Sequence, residues 1–216
     1  MTPEQLAAQL RHPHGEAGAR VAENMNASNQ PIIANTYGTL ALQDGDRVLE
    51  IGPGSAGHLP TLLARADGLD YTGLDLSADM VKTAQGLHKA QPKVRFVHGD
   101  ITQAPLPENH YQAIVAINVV YFWQPLAPAL NALWRHLAPG GQLCLGLRDR
   151  ESMSTLPVFQ HGFLTYEGPD LMQALATEGF VQLAMARHPE DSTSVLGQVM
   201  HKTGLVITGH KPESPS

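Results

Sequence analysis

A doubly wound α/β fold is what this 216-residue sequence predicts, and three observations predict it. Strand-like and helix-like segments alternate from about residue 47 onward, the pattern of a parallel sheet covered by helices on both faces. The apolar run Val48–Ile51 breaks into Gly52, Pro53 and Gly54, as a buried parallel strand does when it turns sharply toward a helix. Near the end, Phe180–Ala186 and Gly204–Gly209 read as strands with no long helix between them. Such a pair most simply forms an antiparallel hairpin at the sheet's edge.

Taken in order, residues 1–43 contain helix-compatible stretches and no clear strand, and are expected to cover the ligand-bearing end of the sheet. Strands are predicted at Arg47–Ile51, Asp70–Leu74, Val94–His98, Tyr111–Ile117 and Gln142–Leu147, with helices at His58–Ala66, Ser77–Lys89 and Pro125–Leu137. Ser77 suits an N-cap, and Asp79 in the first turn favours the helix dipole. Pro139, Gly140 and Gly141 are expected to stop the third of these helices and lead into the next strand. Pro169–Gly179 is amphipathic, with Leu171, Met172, Leu175 and Ala176 at helical spacing. The chain is expected to be one domain, divided into a helical cover (1–43), a binding core (44–150) and a second cover with the terminal hairpin (151–211).

Composition excludes several classes. Fourteen Lys and Arg against twenty Asp and Glu leave a net charge of -6, with no basic run. Nucleic acid is therefore not an expected partner, because backbone binding needs clustered positive charge. Cys144 is the only cysteine, which removes an internal disulfide and a cysteine metal cluster. In its strand-like LCLGL setting it reads as a buried, inert thiol. The eleven histidines show no metal-ligand spacing, so no metal is expected. The amino-terminal residues lack a basic segment followed by an apolar core. The longest apolar stretch, Ala113–Trp123, is interrupted by Asn118 and falls short of the roughly 20 residues that span a bilayer. A cytoplasmic protein without a membrane partner is expected, as a monomer or a homodimer.

The chemistry concentrates at strand ends. Gly52, Gly54 and Gly57 form a GxGxxG after the first strand, a fingerprint shared with dinucleotide binders and weak alone. Glu50 precedes it inside an apolar run, where a carboxylate is costly unless it finds partners. Asp75 closes the second strand and Asp100 the third. In open α/β sheets ligands bind at those carboxyl ends, where an acid accepts hydrogen bonds from ribose hydroxyls. An adenosine-containing ligand follows, with NAD still among the candidates.

VLEIGPGSAG, YTGLD, GDI, PLPENHYQAIVAINVVYFW and LAPGGQLCLG, in that order and spacing, resemble the class I S-adenosylmethionine-dependent methyltransferases over roughly Leu42–Leu147, and more loosely through the hairpin. The resemblance implies a Rossmann-like sheet of about seven strands, mostly parallel with an antiparallel last strand, and S-adenosylmethionine as cofactor with S-adenosylhomocysteine as product. It implies that Glu50 and the loop of Gly52, Pro53 and Gly54 hold the methionine portion. Asp75, with Leu76 beside it, would bind the ribose hydroxyls, and Asp100 with Ile101 the adenine. Met80 would pack on the adenine face, or else be ordinary core. Two positions depart from the family pattern: Ala56 stands at the third glycine, and Gln112 follows Tyr111 where an aromatic-Asp pair is usual.

The family's transfer site follows the fourth strand, here Asn118, Tyr121, Phe122 and Trp123. Asn118 and Tyr121 are candidates to line it, and Asn29, Tyr121 and Trp123 to contact substrate. An aromatic face there could hold an amine or shield a sulfonium. No catalytic base stands out: Tyr121 and His161 are the candidates, with His58 beside the glycine loop also within conceivable reach. The expected activity is methyl transfer to a small molecule. A nicotinamide-dependent dehydrogenase would account for GxGxxG and Asp75 but leaves Glu50, Asp100 and the hairpin unexplained. The third reading is a non-catalytic S-adenosylmethionine-binding regulator.

Overall fold

The computed structural model describes residues 1–195 and 197–213. Three helices come first: α1 (Pro3–Arg11), α2 (Gly15–Ser28) and α3 (Gln30–Thr39). Thr2 and Gln5 close a reciprocal capping box at the start of α1, which satisfies two otherwise orphaned N–H groups. Next come β1 (Arg47–Ile51), α4 (Leu59–Leu63), β2 (Asp70–Asp75), α5 (Ala78–Leu87), β3 (Val94–His98), β4 (Tyr111–Ile117) and α6 (Leu126–His136). The chain continues through β5 (Leu137–Arg148), α7 (Arg150–Ser154), α8 (Gly168–Thr177), β6 (Val181–Val195) and β7 (Gln198–His210).

Among the described residues seven strands form one sheet in the order β3-β2-β1-β4-β5-β7-β6. The first five strands run parallel, while β7 is antiparallel to both β5 and β6. The order reverses between β1 and β4, and such a reversal opens a crevice at the strands' carboxyl ends.

Strand periodicity sorts the core into two layers. Leu49, Ile51 and Ile114 point to one face with Leu130 and Leu133 of α6. Val48 and Val115 point to the other, against Ile32 and Ile33 of α3 and Leu59 and Leu62 of α4. Each fully buried aliphatic side chain of this kind is worth about 1.5–3 kcal/mol. Glu50 alternates with Leu49 and so shares the α3 face.

Several boundaries differ from the sequence expectation. The helix expected over His58–Ala66 is only the five-residue α4, with Pro60 in its first turn. The helix expected to run to Leu137 ends at His136, and β5 starts at Leu137 instead of after the Pro139-Gly140-Gly141 break. Leu137 pairs with Tyr111, and a register shift before Ala113 accommodates the break. The hairpin is far longer than expected: Glu190 pairs with Lys202 and Val195 with Gln198, well beyond the ends at Ala186 and Gly204 read from the sequence. Of the first three helices, α1 and α2 cover the carboxyl ends of the strands. By contrast, α3 lies on the sheet face against β5 and β7, closely enough that a Cβ at Gly146 would collide with Thr36.

Candidate functional site

The crevice between β1 and β4 opens into a cavity of about 320 Å³. Its floor is the turn after β1. Gly52 and Gly54 take φ values of +68° and +59°, which residues bearing a Cβ adopt at a cost. A Cβ on Gly52 would also collide with Val119 Cγ1, whereas one on Gly54 meets open space. Ala56, at the family's third glycine position, holds φ +53° and is fully buried. The turn therefore keeps its shape without that glycine.

Glu50 sits behind the turn, 1% exposed. Its Oε1 accepts from His58 Nε2 at 2.9 Å and its Oε2 from Tyr71 Oη at 2.7 Å. Tyr37 Oη lies 3.0 and 3.1 Å from the two oxygens. Burial pushes the Glu50 carboxyl up, but the His58 charge and the hydrogen bonds from His58, Tyr71 and Tyr37 prevail and hold it below the usual range. Burial pushes His58 down, and Glu50 overcomes this to raise it. The two thus form a buried ion pair. His58 Nδ1 is buried at the cavity wall without a hydrogen-bond partner among the described residues.

Asp75, at the end of β2, fixes the turn from the other side. Its Oδ2 accepts the Gly54 N–H and its Oδ1 the Ser77 N–H, each at 2.8 Å. Burial raises its carboxyl, against the pull of those two N–H groups and of nearby His12 and His98. Each oxygen keeps a lone pair for a ligand. Leu76, 45% exposed, lines the cavity beside it, and His12 Nε2 and His98 Nε2 each lie 3.0 Å from its carbonyl oxygen. Asp100 and the buried Ile101 form the wall after β3. Asp100, an exposed residue, takes both the N–H and the hydroxyl of Thr102 on Oδ1 at 2.7 Å, a local turn.

A second cavity of about 470 Å³ adjoins the first. Leu10, Met25, Asn29, Asn118 and Phe122 line both. Asn118, at φ +56° just past β4, donates its N–H to the Gly146 carbonyl. Tyr121 belongs to the second cavity. Its Oη accepts the Arg148 N–H and lies 3.1 Å from Asn118 Oδ1 and 3.2 Å from the Arg148 carbonyl oxygen. Burial raises its phenol further above the ordinary value, which disfavours a role as base.

The structure thus brings Glu50, Gly52, Pro53, Gly54, Asp75, Leu76, Asp100, Ile101, Asn118, Asn29 and Trp123 around the first cavity. Two expected residues lie elsewhere. Met80 is core, 2% exposed and outside the cavity lining, because α5 turns it onto the sheet; Leu76 occupies the adjacent wall. His161 is exposed and lines neither cavity, although Leu156, Val158 and Phe163 of the same segment line the second. Trp123 faces the first cavity and not the second. Gln112 supplies a structural bond, accepting the N–H and Nε–H of Arg47 at 3.0 Å. Tyr37, Tyr71, His12 and Arg148 are site components that the sequence reading passed over.

The geometry bears on the cofactor. Helix α4 is only five residues long and has Pro60, which lacks an N–H, in its first turn, so it offers few free N–H groups, and a dinucleotide's pyrophosphate depends on them. Instead the cavity presents acids at the ends of successive strands and an open floor at Gly54, which fits the ribose, adenine and charged methionine end of S-adenosylmethionine.

Known proteins agree with this reading. Residues 49–145 match the family model described as a methyltransferase domain. The uncharacterized methyltransferase YdaC of Bacillus subtilis (strain 168) is 30% identical over 129 residues, 59% of this chain and 70% of that protein. A fatty-acid O-methyltransferase of Mycolicibacterium smegmatis is 31% identical over 52% of this chain, a match that spans only 42% of that protein. Among solved structures, the methyltransferase in a complex with the Haloferax volcanii Trm112 methyltransferase activator shares the fold with a TM-score of 0.74 at 18% identity, covering 93% of this chain and 97% of that one. With its sheet order, its glycine turn and its strand-end acids, this chain belongs to the class I S-adenosylmethionine-dependent methyltransferases.

Proposed function

We propose that the first cavity holds S-adenosylmethionine and the second a small-molecule methyl acceptor. The carrying observation is the junction of the two cavities at Asn29, Asn118 and Phe122. When bound, the cofactor supplies a methyl group already activated by its sulfonium. The chain's own contribution is then to hold the acceptor atom in line with that methyl, and positioning alone can supply much of the acceleration.

In this reading Asp75 binds the ribose hydroxyls, Asp100 and Ile101 flank the adenine, and the Gly52–Gly54 turn faces the methionine end. Glu50 acts from behind as a positioning residue, since its oxygens are occupied by Tyr37, Tyr71 and His58. Asn29 and Asn118 stand where acceptor and methyl would meet, and Phe122 walls both chambers. A second cavity of about 470 Å³ falls within the range typical of small-ligand pockets, about 300–1,000 Å³. The Mycolicibacterium relative's printed activity, O-methylation of a fatty acid, is a small-molecule reaction of the same kind.

Calorimetric titration with S-adenosylhomocysteine and with NADH tests the first cavity; micromolar binding of the nucleoside and none of NADH is expected, and the reverse would refute the assignment. Transfer from methyl-labelled S-adenosylmethionine to a panel of carboxylates, amines, phenols and thiols tests the second. Labelling of protein substrates only, with every small acceptor inert, would refute a small-molecule role.

A further inference from the structure

The two cavities have opposite charge. Glu50, Asp75 and Asp100 line the first, outnumbering its cations Arg11 and His58, whereas the charged side chains lining the second are Arg148 and Lys202, with no acid among its described lining residues. Both cations are buried, at 7% and 8% side-chain exposure. They share one carboxylate: Glu190 Oε2 lies 2.8 Å from Arg148 Nη2 and 3.6 Å from Lys202 Nζ. Their other partners are neutral. Arg148 Nη1 donates to Asn29 Oδ1 at 3.0 Å and Nη2 to the Ser28 carbonyl at 3.2 Å, which Lys202 Nζ also reaches at 3.5 Å. Ser28 ends α2, so its carbonyl adds a fraction of a negative charge, about one half at most. The cluster still carries an excess of positive charge. Two buried atoms of the cluster, Arg148 Nε and Glu190 Oε1, find no hydrogen-bond partner among the described residues.

A buried surplus cation is costly unless an anion neutralises it. Away from this end the cavity wall is apolar, built from Leu6, Val21, Leu156, Val158 and Phe163. The charged end also lies next to the junction, because Asn29, the partner of Arg148, lines both cavities. Among the described residues no available base faces the junction: burial raises the Tyr121 phenol, and His58 is held by Glu50. A suitable acceptor therefore arrives already ionised.

We infer that the second cavity takes an apolar-chain monocarboxylate, its carboxylate held by Arg148 and Lys202 and its chain along the Leu156–Val158–Phe163 wall, and that this carboxylate is the methyl acceptor. This rests on the small-molecule reading above. One carboxylate oxygen forms the new O–CH₃ bond while the C–S bond breaks with its electron pair left on sulfur. A carboxylate and a sulfonium become a neutral ester and a neutral thioether, and no proton moves.

Dodecanoate, dodecanol and dodecylamine, below their micellar concentrations, are titrated by calorimetry into the protein with and without saturating S-adenosylhomocysteine. Dodecanoate should bind about tenfold or more tightly than dodecanol, the scale of a hydrogen bond to a charged group. Lys202→Met should remove most of that preference while leaving dodecanol and S-adenosylhomocysteine affinities unchanged. Leu156→Trp should weaken both chains equally. Should Lys202→Met lose S-adenosylhomocysteine binding, Lys202→Gln provides the same comparison with a donor retained. With S-adenosylmethionine present, mass spectrometry should find methyl dodecanoate. Equal binding of dodecanol or dodecylamine, an unchanged preference in the folded Lys202 variant, or bound dodecanoate that yields no ester would each overturn the inference. Methylation of dodecylamine or dodecanol instead would leave the methyltransferase reading standing and remove this one. The titrations without S-adenosylhomocysteine read the carboxylate preference even if cofactor binding fails.

Discussion

At the scale of residues, the Glu50–His58 pair couples folding to pH. His58 is raised in the folded chain, so its contribution is complete below its unfolded value of about 6.5 and fades as pH rises through the higher folded value. Glu50 is lowered, so its contribution is present above an unfolded value of about 4.3 and is lost as pH falls through the lower folded value. The pair therefore stabilises most fully between about pH 4.3 and about pH 6.5 and declines on the alkaline side. The thermal midpoint of the wild type should drop between about pH 6 and about pH 9 more than that of His58→Gln, measured by circular dichroism. Asp75→Ala should weaken S-adenosylhomocysteine binding at least about tenfold by calorimetry, because it removes the ribose acceptor and also frees the Gly54 N–H. The oddity of Glu50 was legible, since a carboxylate in an apolar run must find partners. Its partner Tyr37 was not, because nothing in the spacing links a tyrosine of the first helices to a strand thirteen residues on. Arg148, Glu190 and Lys202 were equally silent: each reads as an ordinary surface charge until β5, β6 and β7 are aligned.

At the scale of elements, the hairpin differs most from expectation. His188-Pro189-Glu190-Asp191-Ser192 is polar and contains a proline, which reads as a loop. Yet β6 is the edge strand of the sheet, and an edge tolerates a proline because one side of its ladder has no partner to lose. The same location explains why the extension matters: Glu190 on β6 and Lys202 on β7 meet Arg148 at the end of β5 and the carboxyl end of α2. Glu190→Ala would leave two buried cations without their counterion and should cost about 3–5 kcal/mol, seen as a lower urea midpoint. Strands β1, β3 and β4 follow the sequence pattern to the residue because their apolar runs are short and bounded by turns. Helix α4 was overestimated because periodicity alone does not register Pro60 as a first-turn residue of a very short helix.

At the scale of the molecule, the mostly parallel sheet and the candidate site were legible together, because successive strands each end in an acid and the chain places those ends on one edge. The two chambers were not, since their walls come from α1, α2, the segment after α7 and the hairpin, four regions distant in sequence. Ligand that binds only the folded chain shifts its stability by mass action, so S-adenosylhomocysteine at about a hundred times its Kd should stabilise by about 2.7 kcal/mol in chemical denaturation, and NADH at the same concentration should not. Val119, just past β4, fills the space that a side chain on Gly52 would need. The first glycine of the motif is thus demanded by the neighbouring strand's own turn, before any ligand is considered. A descendant of this chain that abandoned methyl transfer would be free to change Asp100, whose bonds serve only its own turn, but would retain Gly52 for as long as β1 and β4 remain side by side.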